Sequence, residues 1–216
     1  MKAFQTDVRY NTQSVSVPLP HTSYVDKVLR SNSYEELMWR FMEADHPAKE
    51  ITESYAAFSN LKKVCRINHF NWLHIGDGGY TRTAAIFAFF SKTMNWSIDP
   101  ALNIDKFNTW KLKHHVEGIV PVKLKYQDIP NDKKAQFFTL GRPYNIVCVH
   151  AHVNLEEVDK ELPHWQYMYS NPCCYPKKQS FSEEYMKENK IVKIVDKYDL
   201  GILSERRQIY IYKNLR

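Results

Sequence analysis

The chain has 216 residues, 44% hydrophobic and 14% aromatic, which is enough apolar surface for one buried core and excludes a disordered chain. Lys and Arg number 30 against 24 Asp and Glu, a formal charge of +6. That excess suits an anionic partner such as nucleic acid, and equally suits a mixed, well-solvated surface.

The opening MKAFQTDVRY lacks the apolar run of a signal peptide, and residues 1–20, closed by VPLP, have no clear period and read as an extended arm. Three helical signals follow. In HTSYVDKVLRS the residues Tyr24, Val25, Val28 and Leu29 share one helical face. In SYEELMWRFME, Ser33 and Glu36 form a capping box, and Leu37, Met38, Phe41 and Met42 form a core stripe. Residues 47–63 open with Pro47 and repeat at Ile51, Tyr55, Phe58 and Leu61.

After residue 68 short apolar runs alternate with helical segments. Strands are expected at 72–75, 96–98, 120–126, 144–149, 166–169, 191–195 and 208–212. Runs such as NIVCV are apolar throughout, as in a parallel sheet covered on both faces. A short polar turn near Ser204 separates the last two strands, which reads as an antiparallel finish. The organisation expected is an arm and helical cap over residues 1–67 and an α/β domain over 68–216. No stretch reaches the roughly 18 apolar residues of a membrane span.

The densest signal is WLHIGDGGYTRTAAIFAFFSKTMNWSIDP, residues 72–100. A strand runs into Gly76, Gly78 and Gly79, a helix follows from Arg82, and a second strand ends at Asp99. Glycines let a ligand approach the backbone, and a helix start presents amide N–H groups to it. An acidic residue at the end of the second strand accepts hydrogen bonds from ribose hydroxyls in nucleotide folds. The alternative is a tight turn with no ligand. The dinucleotide pattern is not met, because Thr81 stands where its third glycine belongs, and no Gly-Lys-Ser/Thr follows to make a P-loop. HIGDGGYTRTA also fails as a phosphatase loop: Ile75 occupies the position of the cysteine nucleophile.

The arrangement that remains resembles class I S-adenosylmethionine-dependent methyltransferases. LHIGDGG resembles their first motif, SIDP the acidic end of their second strand, and VKLKYQDIP their third strand with Asp128 after it. The resemblance covers about residues 68–216. It implies a Rossmann-like seven-stranded sheet, mostly parallel with an antiparallel last strand, preceded by the helical cap. It also implies S-adenosylmethionine as cofactor, with His74, Gly76, Asp77, Gly78, Gly79, Asp99 and Asp128 around it. IVCVHAHVN and NPCCYP resemble a branch that includes RNA-modifying enzymes, which makes RNA the preferred acceptor. Two positions depart from the pattern: His74 replaces the usual acid, and Asp77 sits inside the loop. They motivate a second reading, a catalytically silent binding or scaffold protein of the same fold. A third is an enzyme that cleaves the cofactor.

Methyl transfer asks the protein to align acceptor and methyl and to take a proton. His150 and His152, after the fourth strand, are candidate general bases, and each is also readable as a structural histidine. Cys173 is a candidate nucleophile towards a pyrimidine ring; with Cys174 it is equally a small residue shaping a pocket wall. A zinc site from these residues matches no common finger spacing, so no metal is expected. Tyr175, Lys177 and Lys178 could meet a base or phosphates, and WKLKHH reads as the exposed side of a helix end. The four cysteines, two of them adjacent, point to free thiols in a soluble cytoplasmic protein.

Overall fold

The computed structural model describes residues 9–10, 13–14, 23–32, 34–114, 116–137, 142–173 and 178–216. The expected Ser33 cap, and with it His115, Cys174, Tyr175 and Lys177, lies outside the described residues.

β1 (Arg9–Tyr10) and β2 (Gln13–Ser14) pair as an antiparallel ribbon. α1 (Tyr24–Leu29) opens with a capping box of its own, on the helix before the one where a box was expected. Ser23 Oγ accepts the Asp26 N–H, and the Asp26 carboxylate accepts the Ser23 N–H. α2 (Tyr34–Phe41) and α3 (Pro47–Val64) follow, the latter with Pro47 at its start.

β3 (Asn71–Ile75), α4 (Arg82–Ser91), β4 (Asn95–Ile98), α5 (Ile104–His114) and β5 (Ile119–Val122) form the first half of the α/β unit. α6 (Asn131–Ala135), β6 (Tyr144–Val149), α7 (Leu155–Glu161), β7 (Tyr167–Asn171), α8 (Glu183–Glu188), β8 (Ile191–Tyr198) and β9 (Gln208–Asn214) complete it. The sheet has seven strands in the order β5-β4-β3-β6-β7-β9-β8. β3 through β7 are parallel, and β9 inserts antiparallel between β7 and β8. The Rossmann-like sheet expected from the sequence is present, with its antiparallel end.

One apolar cluster lies on each face. Phe58, Leu61, Trp72, Phe87, Tyr169 and Ile211 pack under α3 and α4; Leu73, Ile146, Leu155, Trp165, Met168 and Tyr212 pack on the other side. Neighbouring residues of β3, Trp72 and Leu73, go to opposite clusters, so the strand is buried on both faces. Val28, Leu37 and Phe41 join the first cluster. Two members of the expected helical faces do not: Leu29 ends α1 and Met42 follows the last residue of α2, and both side chains are exposed.

β5 stops at Val122, short of the expected residue 126, because its partner β4 ends at Ile98 and the ladder has nothing further to pair with. Pro121 is accommodated because β5 is the edge strand. The strand order reverses between β3 and β6, and the carboxyl ends there frame the crevice where ligands bind in open α/β sheets.

Candidate functional site

β3 delivers the chain to Gly76, whose φ is +70° and whose N–H donates to Ile98 O at 2.9 Å. A Cβ at Gly76 would lie 2.7 Å from Ala151 Cβ. Gly78 has φ +71° with open space where a Cβ would go. Gly79 continues into a 3-10 turn, and its carbonyl accepts the Asn103 N–H at 3.0 Å. The Gly78 N–H donates to Asp99 Oδ2 at 3.0 Å, and the Ala101 N–H donates to Asp99 Oδ1 at 2.7 Å. The glycine turn and the carboxylate at the end of β4 therefore meet directly. Each carboxylate oxygen keeps a further lone pair for another donor.

Beside them opens a cleft of about 370 Å³, within the usual range of small-molecule sites. Ile75, Gly76, Ile98, Asp99 and Pro100 line one side, with Leu124, Lys125, Tyr126 and Gln127 from the loop after β5. His152, Val153, Asn154 and Glu157 line the other side. Ile75, Ile98, Pro100, Leu124 and Val153 give it an apolar wall, and Asp99, Lys125, Tyr126, Gln127, His152, Asn154 and Glu157 supply polar groups, the mixture an adenosine-sized ligand requires.

Four expected site residues lie elsewhere. Asp128 is exposed in the 3-10 turn Tyr126–Asp128 and does not line the cleft; the four residues before it do. His74, within β3, is buried on the face towards α4, with Nε2 2.9 Å from Asn95 Oδ1 and its ring edge-on to Phe87. Burial pushes its pKa down to about 4, with the Asn95 bond opposing. Asp77 turns inward and caps α4. Its carboxylate accepts the Thr83 N–H at 2.8 Å, the Ala84 N–H at 3.2 Å and the Ser97 hydroxyl at 2.7 Å. Burial raises its pKa to about 6, and those three bonds pull the other way. The Cys173 thiol is tied down: Sγ contacts the His150 carbonyl at 3.7 Å and accepts from Gln179 Nε2 at 3.3 Å. Gln179 also bonds the Cys173 N–H and the Ala151 carbonyl, stapling the loops after β6 and β7 together.

His74 and Asp77 make opposite demands on stability as pH changes. The folded pKa of His74 is below the ordinary 6.5, so the unfolded chain takes the proton first. Its contribution is complete above about pH 6.5 and fades towards pH 4, a loss of about 3 kcal/mol. The folded pKa of Asp77 is above the ordinary 3.8, so the folded chain holds the proton longer. That gains about 3 kcal/mol as pH falls from about 6 to about 4. The two nearly cancel in this window. Asp77→Asn removes the gain, so its melting temperature should fall more steeply than that of the wild-type chain between pH 6.5 and pH 4.5. Parallel curves in a pH series of thermal melts would contradict the assignment.

The two histidines part company. His152 lines the cleft. His150 follows the last residue of β6 at φ +50°, a strained value for a non-glycine residue, with its N–H on Asn171 O at 3.1 Å. Its Nε2 lies 2.8 Å from Glu53 Oε1 of α3, whose side chain is only 2% exposed. The two atoms are not aligned as a hydrogen bond, and neither accepts or donates one elsewhere; Glu53 Oε1 also lies 3.9 Å from Lys49 Nζ. The contact is a charge pair when the imidazole is protonated. Tyr169 OH and Asn171 Oδ1, on β7 beside them, are also buried without a hydrogen bond. Burial raises the Tyr169 pKa, and the charges of Asp199 and Glu53 add to it. These are buried polar atoms without a hydrogen bond, which a hydrogen-bonding group would satisfy.

Sequence reasoning missed Glu53, Gln179 and a cluster behind the loop. There Arg40, 4% exposed, donates from Nη2 to Thr81 Oγ1 at 3.0 Å. The Tyr80 ring is met by Arg82 at 4.8 Å, Lys106 at 5.2 Å and Arg40 at 5.9 Å. Desolvation lowers the Arg40 pKa to about 10, and the nearby Asp77 charge opposes the shift. These groups brace the turn from α2 and α5.

No family model and no curated protein sequence matches the chain. Solved structures do. One is magnesium protoporphyrin IX methyltransferase from Synechocystis PCC 6803 with bound SAM. It matches at 9% identity and TM-score 0.52, over 88% of this chain and 95% of that one. Another is a candidate RNA methyltransferase from Pyrococcus horikoshii, at 10% identity and TM-score 0.51, over 86% of this chain and 99% of that one.

Proposed function

We propose that this chain, which has the fold of the class I S-adenosylmethionine-dependent methyltransferases, binds S-adenosylmethionine in the cleft at Gly76 and Asp99 and passes its methyl group to an RNA acceptor. The observation that carries the reading is the 3.0 Å bond from the Gly78 N–H to Oδ2 of Asp99, the carboxylate that lines the cleft with Gly76. It fixes a carboxylate and a turn of backbone amides side by side at the strand-order reversal, where a nucleoside is held.

Asp99 would hold the ribose hydroxyls with its remaining lone pairs. Ile75, Ile98, Leu124 and Val153 would enclose the base. Gly76 lines the cleft, and its lack of a side chain is what lets the turn pass against Ala151. Bound there, the cofactor supplies an electrophilic methyl group on a positively charged sulfur.

His150 stands at the end of β6, and with Nε2 against Glu53 its Nδ1 is the ring nitrogen left to take a proton from the acceptor. Glu53 stabilises the imidazolium that results and so acts as a positioning residue. The departures at His74 and Asp77 fit this account, because both have internal work: one bonds Asn95 and the other caps α4. The formal charge of +6 supports a polyanionic acceptor. Cys65, Cys148 and Cys173 are free thiols among the described residues, which supports a reducing cytoplasmic setting. Among the described residues no helix is long and apolar enough to cross a membrane.

The test is transfer of tritium from methyl-labelled S-adenosylmethionine to total cellular RNA. Label in RNA is expected; cofactor binding without label would overturn the choice of acceptor. In the same assay Glu53→Gln should lower kcat about tenfold while leaving the Kd for S-adenosylmethionine unchanged. An equal loss in both would make Glu53 part of the cofactor site instead.

A further inference from the structure

A second recess, of about 440 Å³, lies at the other end of the sheet. Lys62, Lys63, Arg66 and His69 line it, together with Phe70 and Tyr167. The last turn of α3 supplies the two lysines. The 3-10 turn Ile67–His69 then folds the chain back before β3, so that Arg66 and His69 reach the same hollow. Lys213 of β9 is the ladder partner of Tyr167 and lies on the same sheet face.

No carboxylate lines this recess. Among the described residues none of these five basic side chains belongs to an ion pair, whereas Lys49, Lys106, Lys134 and Lys193 each meet a carboxylate within 4.0 Å. Basic residues in a last turn complement the helix dipole, which accounts for Lys62 and Lys63. It does not account for Arg66 and His69, which follow the helix, or for Lys213 on another strand. The remaining charge is unneutralised positive potential gathered around an apolar, aromatic floor.

We infer that this recess grips the sugar–phosphate backbone of a single-stranded RNA whose acceptor nucleotide reaches the cleft at the opposite end of the strands. The cations suit phosphates and the Tyr167 and Phe70 floor suits sugar or base. β3 spans the separation with five residues, about 17 Å, a distance that a few nucleotides can bridge along the sheet. The inference rests on RNA being the acceptor and adds where it is held.

The experiment is fluorescence anisotropy with a labelled single-stranded 20-nucleotide RNA over a range of salt. The triple variant Lys62→Gln, Lys63→Gln, Arg66→Gln should bind about tenfold or more weakly at physiological salt. Its slope of log affinity against log salt should be shallower by about 2, the loss of three phosphate contacts. A control variant with the same charge change elsewhere, Lys133→Gln, Lys187→Gln, Lys197→Gln, should keep the slope. Unchanged affinity in the first variant, an equal loss in the control, or a wild-type chain that fails to hold the RNA would each overturn the inference. Calorimetry with S-adenosylmethionine on the same variants keeps the two readings apart. RNA lost only from the recess variant supports the inference whether or not the cofactor binds. Cofactor binding retained with RNA affinity unaltered defeats it and leaves the cleft reading standing.

Discussion

Gly76→Ala should cost about 3 kcal/mol of stability and abolish cofactor binding, while Gly78→Ala two positions later should cost about 1 kcal/mol. Both glycines have positive φ, so both substitutions carry the left-handed penalty of about 1–2 kcal/mol. They differ in what the new methyl group meets. At Gly78 it meets nothing within 4 Å. At Gly76 it lies 2.7 Å from Ala151 Cβ and 3.0 Å from Ala151 Cα, where the neighbour is backbone and cannot rotate away. Relief requires β3 and the loop after β6 to move apart, which opens the floor of the cleft. Urea denaturation of the two variants measures the difference. Equal destabilisation would mean that the crossing of Gly76 and Ala151 is not a fixed contact.

The same crossing shows what the sequence could reveal. Three glycines between a strand and a helix announced a turn near a ligand, because few residues tolerate those φ values. The acid at the end of the next strand was equally readable, since a strand of four buried residues, Asn95–Ile98, fixes where its end must fall. Apolar runs without alternation marked the parallel strands, which have no polar face. The Ser33–Glu36 box and Cys174 fall outside the described residues.

The misses have a common cause. Periodicity finds one buried face, but α3 is buried on several sides. Thr52, Glu53 and Ser54 are all enclosed beside Ile51, so the apolar repeat gave no sign that Glu53, in mid-helix, faces His150. Arg40 was hidden in the same way between Trp110 and the glycine turn. His74 and Asp77 were assigned to the cofactor because of their place in a motif. Which way a side chain leaves a strand or turn is decided by its partners, Asn95 and the start of α4, which lie elsewhere in the chain. Asp128 followed from the expected length of β5, and that length is set by β4.

Asp99→Ala is the second substitution with a large expected effect. It removes a carboxylate that orders the Gly78 and Ala101 N–H groups and, on this account, holds two ribose hydroxyls. Hydrogen bonds to a charged group contribute about 1.5–3 kcal/mol each, so the loss should be about 3 kcal/mol, or roughly a hundredfold in Kd. Asp99→Asn keeps an oxygen towards the backbone and should fall between the two. The fold itself should tolerate both changes, because Asp99 is half-buried at the rim rather than in either core cluster.

The most direct measurement is isothermal calorimetry of S-adenosylmethionine into the wild-type chain and into Asp99→Ala. The account predicts one-to-one binding in the wild type and about a hundredfold weaker binding in the variant, with S-adenosylhomocysteine showing the same ratio because it carries the same ribose. No heat from the wild-type chain at millimolar ligand, or equal affinity in the two proteins, would contradict it.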